Sequence, residues 1–204
     1  MKEFEAITRH DDAEPDGDVW VAAPPIYMPI AVVDADPSWP AVYTGLAQRI
    51  RAALGERVLG LEHVGSTSVT GLAAKPVIDI DLTVANSSDE AAYVGPLEAI
   101  GYELTIREPK WHEHRCLMMD RPKSNLHVWS PGSPEAIRHR MFRDWLGDHP
   151  ADLARYADTK RQSALETNAA GEDVMSYNLR KQPVIREILD RMFRAHGMLD
   201  ATDR

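Results

Sequence analysis

The stretch "KPVIDIDLTV", residues 75–84, most constrains what this chain can become. Val77, Asp79, Asp81 and Thr83 alternate with Ile78, Ile80, Leu82 and Val84, the two-residue period of a strand with one polar and one apolar face. The apolar face demands a core beneath it. The other face carries two carboxylates whose Cα atoms lie about 6.6 to 6.8 Å apart, so both side chains can lean toward one point. Two such groups repel, and each resists ionising. A divalent cation removes that penalty: magnesium takes oxygen ligands at about 2.0 to 2.1 Å and keeps positions open for water or substrate phosphates. An exposed edge strand that merely tolerates acids is the plainer alternative.

The residues just upstream offer the complementary half of a phosphate site. Gly65 lets backbone approach a ligand closely, and Ser66 adds a short donor. If "STSVTGL" opens a helix, the free N–H groups of Ser66, Thr67 and Ser68 attract anions. Lys75, at the start of the aspartate strand, places a cation within reach of the same phosphates. A lone Gly-Ser pair is ordinary turn material; the order strand, Gly-Ser, short helix, Asp-x-Asp strand is more specific.

The rest of the chain supplies a scaffold for that order. At 204 residues and 44% hydrophobic it is long and apolar enough for one sizeable core. Residues 1–29 are acidic and proline-bearing and read as an extension with at most one short strand, near "DVWVAA". A mixed α/β core is expected over 30–132. It has a helix from Ser38 to Gly55, strands at "RVLGLEHV" and "KPVIDIDLTV", and a helix from Ser87, capped with Glu90, to Gly101. Strands follow at "YELTI", "HRCLMM" and "NLHVW". Three helices fill 133–204, the last one kinked or split at Pro183. The fold class is α+β, a mixed sheet flanked by helices with a helical C-terminal part.

Charge and cysteine usage narrow the partners. A formal charge of −9, from 32 acids against 23 Lys and Arg, disfavours long nucleic acid, and no stretch is long and apolar enough to cross a membrane. Cys116 alone makes no internal disulfide, and no secretory signal opens the chain; both suit a reducing cytoplasm.

Taken together, Gly65-Ser66 and Asp79-x-Asp81 resemble the signature of the nucleotidyltransferase fold shared with DNA polymerase beta. More closely, "EHVGSTSVTGLAAKPVIDI", "NLHVW", "GSPEAIRHRMFRDWLGDHPADLARYADTKR" and "SYNLRK" resemble the GrpB family, over about Ile30 to Ala195. The resemblance implies magnesium, or manganese, held by Asp79 and Asp81. It also implies a nucleoside triphosphate as donor and an unknown small-molecule or protein acceptor. Where nucleotidyltransferases bring a third carboxylate, this chain offers His127, as a third ligand or as the acceptor's base. The pairs Tyr156 with Lys160 and Tyr177 with Lys181, each one helical turn apart, fall within the resemblance and would present rings and cations to the nucleotide. A non-catalytic protein binding a nucleotide or anionic metabolite is the alternative.

Three further groups bear on the site. His112, His114 and Cys116 cannot close a zinc tetrahedron from one strand unaided, so Arg115 or one histidine lining the substrate pocket is the better expectation. Arg138, His139, Arg140 and Arg143 read first as a solvated helix face, and otherwise as one group meeting the triphosphate. His63 is expected to fix the strand end through a backbone hydrogen bond.

Overall fold

The computed structural model describes residues 4–10, 19–21 and 28–200. Its helices are α1 (Glu5–Thr8), α2 (Trp39–Leu54), α3 (Val94–Glu98), α4 (Pro134–Asp148), α5 (Pro150–Ala170) and α6 (Val174–Ala195). Its strands are β1 (Gly60–Val64), β2 (Ile78–Thr83), β3 (Glu103–Glu108), β4 (His114–Asp120) and β5 (Lys123–Trp129). They form one mixed sheet in the order β1-β2-β5-β4-β3, in which only β2 and β5 run parallel.

The alternation of β2 assigns the two layers. Ile78, Ile80 and Leu82 point to one side, where Leu117, Leu126 and Val128 of neighbouring strands join Leu46, Ile50 and Leu54 of α2 and Leu97 of α3. Each such burial stabilises by roughly 1.5 to 3 kcal/mol before chain entropy is counted. Asp79, Asp81 and Thr83 therefore face the opposite side, which the C-terminal helices cover. Val69, Leu72 and Ala73, between β1 and β2, anchor those helices by packing on Leu146, Tyr156 and Ile188.

Several local expectations change. Ser38 makes no side-chain cap on α2: its backbone is helical, with φ −79° and ψ −19°, not the extended form an N-cap takes, and Pro40 offers no N–H to its hydroxyl. The helix expected from Ser87 is a 3-10 turn at Glu90–Ala92 followed by the short α3, since Pro96 inside one continuous helix would lack its backbone donor. Ser87 instead bonds Ser130, and Glu90 bonds Arg107 and Arg115. α6 runs unsplit through Pro183, and the Asp173 carboxylate caps it by accepting from Met175 N and Ser176 N. In the extension, Trp20 bridges Ile106 on the β3 edge, with Val21 N donating to Thr105 O and Arg107 N to Val19 O, in keeping with a short strand; Asp18, Ala22 and Ala23 of "DVWVAA" lie outside the described residues. Residues 4–10 hold α1, which was not expected; Phe4 and Ile7 pack on the apolar cluster formed by α4 and α6.

Candidate functional site

Parallel pairing of β2 with β5 sets Asp79 beside Asn125 and Asp81 beside His127, and antiparallel β4 sets Cys116 beside His127. Each carboxylate has its own donors. Asp79 Oδ1 accepts from Asn125 Nδ2 at 2.9 Å, with His127 Nε2 at 3.9 Å. Asp81, 3% exposed, accepts from Trp129 Nε1 at 2.9 Å, and His139 Nδ1 lies 3.1 and 3.0 Å from its two oxygens. Burial works to raise both acids, but their histidine partners and hydrogen-bond donors outweigh it and hold each below the ordinary carboxylate value. The repulsion expected between the two acids is thus relieved by imidazole, amide and indole groups.

This bears directly on the metal expectation. Asp79 keeps 28% of its side chain exposed, but both oxygens of Asp81 are engaged and shielded. Among the described residues, no group of three or more His, Cys, Asp and Glu is arranged to hold a metal ion. Joint ligation of one resident ion by Asp79, Asp81 and His127 does not fit this arrangement. Burial opposes the charge of His127, yet Cys116, Asp79 and Asp81 around it raise its pKa well above the usual imidazole value. Behind it, His127 Nδ1 meets His114 Nε2 at 3.0 Å and His114 Nδ1 meets Glu108 Oε2 at 2.7 Å; burial lowers His114 to about 4 and keeps it neutral.

The Gly65 turn lies directly on Asp79. Gly65 has φ +67° and ψ −170°, and a Cβ there would sit 2.4 Å from Asp79 Oδ2. The expected helix after it is only the 3-10 turn Ser66–Ser68, too short to carry a useful dipole. Of its residues, Ser66 lines a cavity, whereas Thr67 is buried and donates to Val77 O at 3.1 Å while meeting His63 Nε2 at 3.1 Å. Ser68 Oγ donates back to Gly65 O at 2.6 Å. His63, stacked on Tyr43, meets the Thr67 hydroxyl and not the backbone group expected of it, in keeping with a structural role.

Lysines converge beside Asp79. Lys181 Nζ lies 4.1 Å and Lys75 Nζ 5.2 Å from the Tyr177 ring centre, and Lys160 Nζ lies 4.5 Å from that of Tyr156. Lys160 is 2% exposed, and its Nζ has no hydrogen-bond partner among the described residues. Burial, then the neighbouring cations, lowers Lys160 to about 7; burial, then Lys75, does the same to Lys181. Asp79 is the carboxylate whose charge is felt by all three.

Other expected groups lie elsewhere. Arg115 points to the core side of the sheet, pairs with Glu90 Oε1 at 2.5 Å and is remote from the aspartate face. His112 sits in the β3–β4 turn with φ +53°, off the strand that carries His114 and Cys116, so these three form no common site. Of the basic stretch on α4 only Arg140 is exposed as a solvated face would be: Arg138 pairs with Glu135, Arg143 with Glu62 and the His63 carbonyl, and His139 with Asp81. Asn125 and Trp129 were missed, although they alternate with His127 and so share its face. No local signal in α4 singles out His139.

An α+β chain whose mixed sheet holds paired carboxylates under a glycine turn, closed by lysine-bearing helices, is a protein built around a charged, sheet-borne site. The chain belongs to the GrpB family, whose model, described as GrpB protein, matches residues 29–191. A UPF0157 protein of Halalkalibacterium halodurans is 45% identical over 162 residues, covering 79% of this chain and 82% of that one. The crystal structure of conserved protein GrpB from Enterococcus faecalis superposes with a TM-score of 0.71 at 28% identity, over 82% of this chain and 99% of that one. A protein of Mycolicibacterium paratuberculosis named dephospho-CoA kinase is 32% identical over 190 residues, which span 80% of this chain but only 46% of that protein. No helix among the described residues is long and apolar enough to cross a membrane.

Proposed function

We propose that this protein is a nucleotidyltransferase-type enzyme that binds a nucleoside triphosphate and passes its nucleoside monophosphate to a small-molecule or protein acceptor. The phosphates would lie among Lys75, Lys160 and Lys181, beside the Gly65–Ser66 turn. One observation carries this reading: the buried, unpartnered ammonium of Lys160 stands in a cluster of three lysines that share one nearby carboxylate. Burying such charges together is costly unless an anion compensates them. Two tyrosine rings hold the ammonium groups by cation–π contact until it arrives.

In the transfer, an acceptor oxygen or nitrogen attacks the α-phosphorus and pyrophosphate leaves with the bonding electrons. The lysines stabilise charge on the leaving group. Magnesium or manganese would enter as a complex with the triphosphate, and Asp79, partly open, is the carboxylate that can approach it. Membership of the GrpB family and the order Gly-Ser turn, then aspartate strand, support the reading. The partial match to a protein named a kinase agrees in kind, since kinases act on phosphate groups.

The engaged state of Asp81 favours a second reading, in which the site binds a nucleotide or other anionic metabolite without turnover. One set of measurements separates the two. Calorimetric titration with ATP, GTP, CTP and UTP, with magnesium or manganese, should show binding that Lys160→Met weakens at least tenfold. The variant should be no less stable than the parent, because it removes a buried unpaired charge. Pyrophosphate release over an acceptor panel supports transfer, binding without release supports the second reading, and no binding of any triphosphate sinks both.

A further inference from the structure

Next to the phosphate cluster, and sharing Ser66 and Tyr156 with it, lies a cavity of about 260 Å³. Val69, Phe142, Leu146, Ile185 and Leu189 give it an apolar side, while Glu135, Arg138, Arg143 and the His139 imidazole line the other. An apolar cavity of about 150 Å³ already accepts benzene, so this one admits a somewhat larger molecule. Tyr156 stands between the two compartments: its ring lines the cavity and lies 4.5 Å from Lys160 Nζ.

The tautomer of His139 follows from its partner. Asp81 is held ionised and can only accept, and its oxygens lie 3.1 and 3.0 Å from His139 Nδ1. The proton of a neutral His139 must therefore be on Nδ1, leaving Nε2 with a bare lone pair. Nε2 has no hydrogen-bond partner among the described residues, and 32% of the side chain is accessible. A carboxylate that orients an imidazole whose far nitrogen is free is the arrangement of a general base. Asp81 itself is fixed by Trp129 Nε1, so the pair sits on the rigid sheet and not on a loop.

We infer that His139 is the catalytic base, that Asp81 is its positioning residue, and that the cavity holds the acceptor, a small hydroxyl-bearing molecule with an apolar body. This rests on the proposed transfer only for its electrophile. The acceptor O–H proton moves to His139 Nε2, the oxygen forms a bond to the α-phosphorus, and the bond to pyrophosphate breaks with its electron pair leaving on pyrophosphate.

The test needs no nucleotide. Nitrogen-15 spectra of labelled histidine should show the neutral form of His139 as the Nδ1–H tautomer, with Nε2 unprotonated. Benzyl alcohol should shift that Nε2 signal and the methyl signals of Val69, Leu146 and Leu189 saturably. Toluene should shift the methyls alone. Asp81→Asn, whose amide donates as readily as it accepts, should leave His139 in mixed tautomers while the core methyl pattern is unchanged. Val69→Phe should remove the probe shifts by filling the space. An Nε2–H tautomer in the parent protein, or benzyl alcohol shifts that bypass His139, overturns the inference. A failed triphosphate titration would condemn the phosphate reading and leave the tautomer and the acceptor cavity untouched.

Discussion

Asp79 lies partly open beneath the Gly65 turn, while Asp81, one strand repeat along, is enclosed by Trp129 and His139. Identical side chains on one face thus serve different ends because different elements cover them. Asp79 shares a charged pocket with the lysines, and Asp81 orients an imidazole. Gly65 is the residue on which the first arrangement depends, combining a glycine-only backbone conformation with contact against Asp79. Gly65→Ala should destabilise the fold by about 3 kcal/mol, from strain and from the displaced carboxylate. Denaturant unfolding checks this: the midpoint should fall with the slope unchanged. The Gly-Ser and Asp-x-Asp patterns were legible in the sequence because each is local. The partners of the aspartates were not, since Trp129 and His139 lie 48 and 58 residues from Asp81.

At the scale of elements, α5 and α6 bring the lysines together. Tyr156 with Lys160, and Tyr177 with Lys181, were readable as one-turn pairs, and the structure sets both near Asp79, with Tyr156, Lys160 and Tyr177 buried and Lys181 half-buried. What spacing could not tell is that Tyr177 accepts two cations, Lys181 from its own helix and Lys75 from the start of the aspartate strand. α6 carries that site in its first turns and apolar residues Ile188, Leu189, Met192 and Phe193 in its last, with Pro183 between. A proline inside a helix forfeits one backbone hydrogen bond, and the packing of the C-terminal half outweighs that loss. Pro183→Ala should therefore stabilise the protein by about 1 to 3 kcal/mol, read as a raised denaturant midpoint. No gain would mean that the helix has already adapted its hydrogen bonding around the ring.

For the molecule as a whole, buried bases dominate the pH response. Burial lowers His63 and His114 to about 4, so both are neutral in the fold. Between pH about 6.5 and 4 the unfolded chain takes up these protons and the folded chain does not, so stability falls as pH falls. His127 acts in the opposite sense. Its raised pKa contributes stability fully below about 6.5, and this is lost as pH rises through the folded value. Lys160 and Lys181, near 7 in the fold, bind fewer protons than the unfolded chain above that value, so stability climbs from pH 7 toward 10. Thermal melts across pH should show the acid decline, and His114→Gln should flatten it by on the order of 2 kcal/mol. The alkaline rise should shrink in Lys160→Met, and inorganic phosphate near neutral pH should raise the melting temperature of the parent more than that of this variant.

Periodicity alone determined the strand that carries the two aspartates, its buried face, most neighbouring strands and three long C-terminal helices, because each is a short-range pattern that one hydrophobic core can satisfy. The family resemblance rests on residue identities instead, above all those of the glycine turn and the aspartate strand. Tertiary structure decided what the carboxylates hold. Parallel pairing of β2 with β5 and the descent of α4 onto the sheet supply imidazole, amide and indole donors from far along the chain. The distant lysines are gathered in the same way. Charge is satisfied by whatever side chain packing brings within a few ångström, and that distance is a property of the fold, invisible to spacing along the sequence.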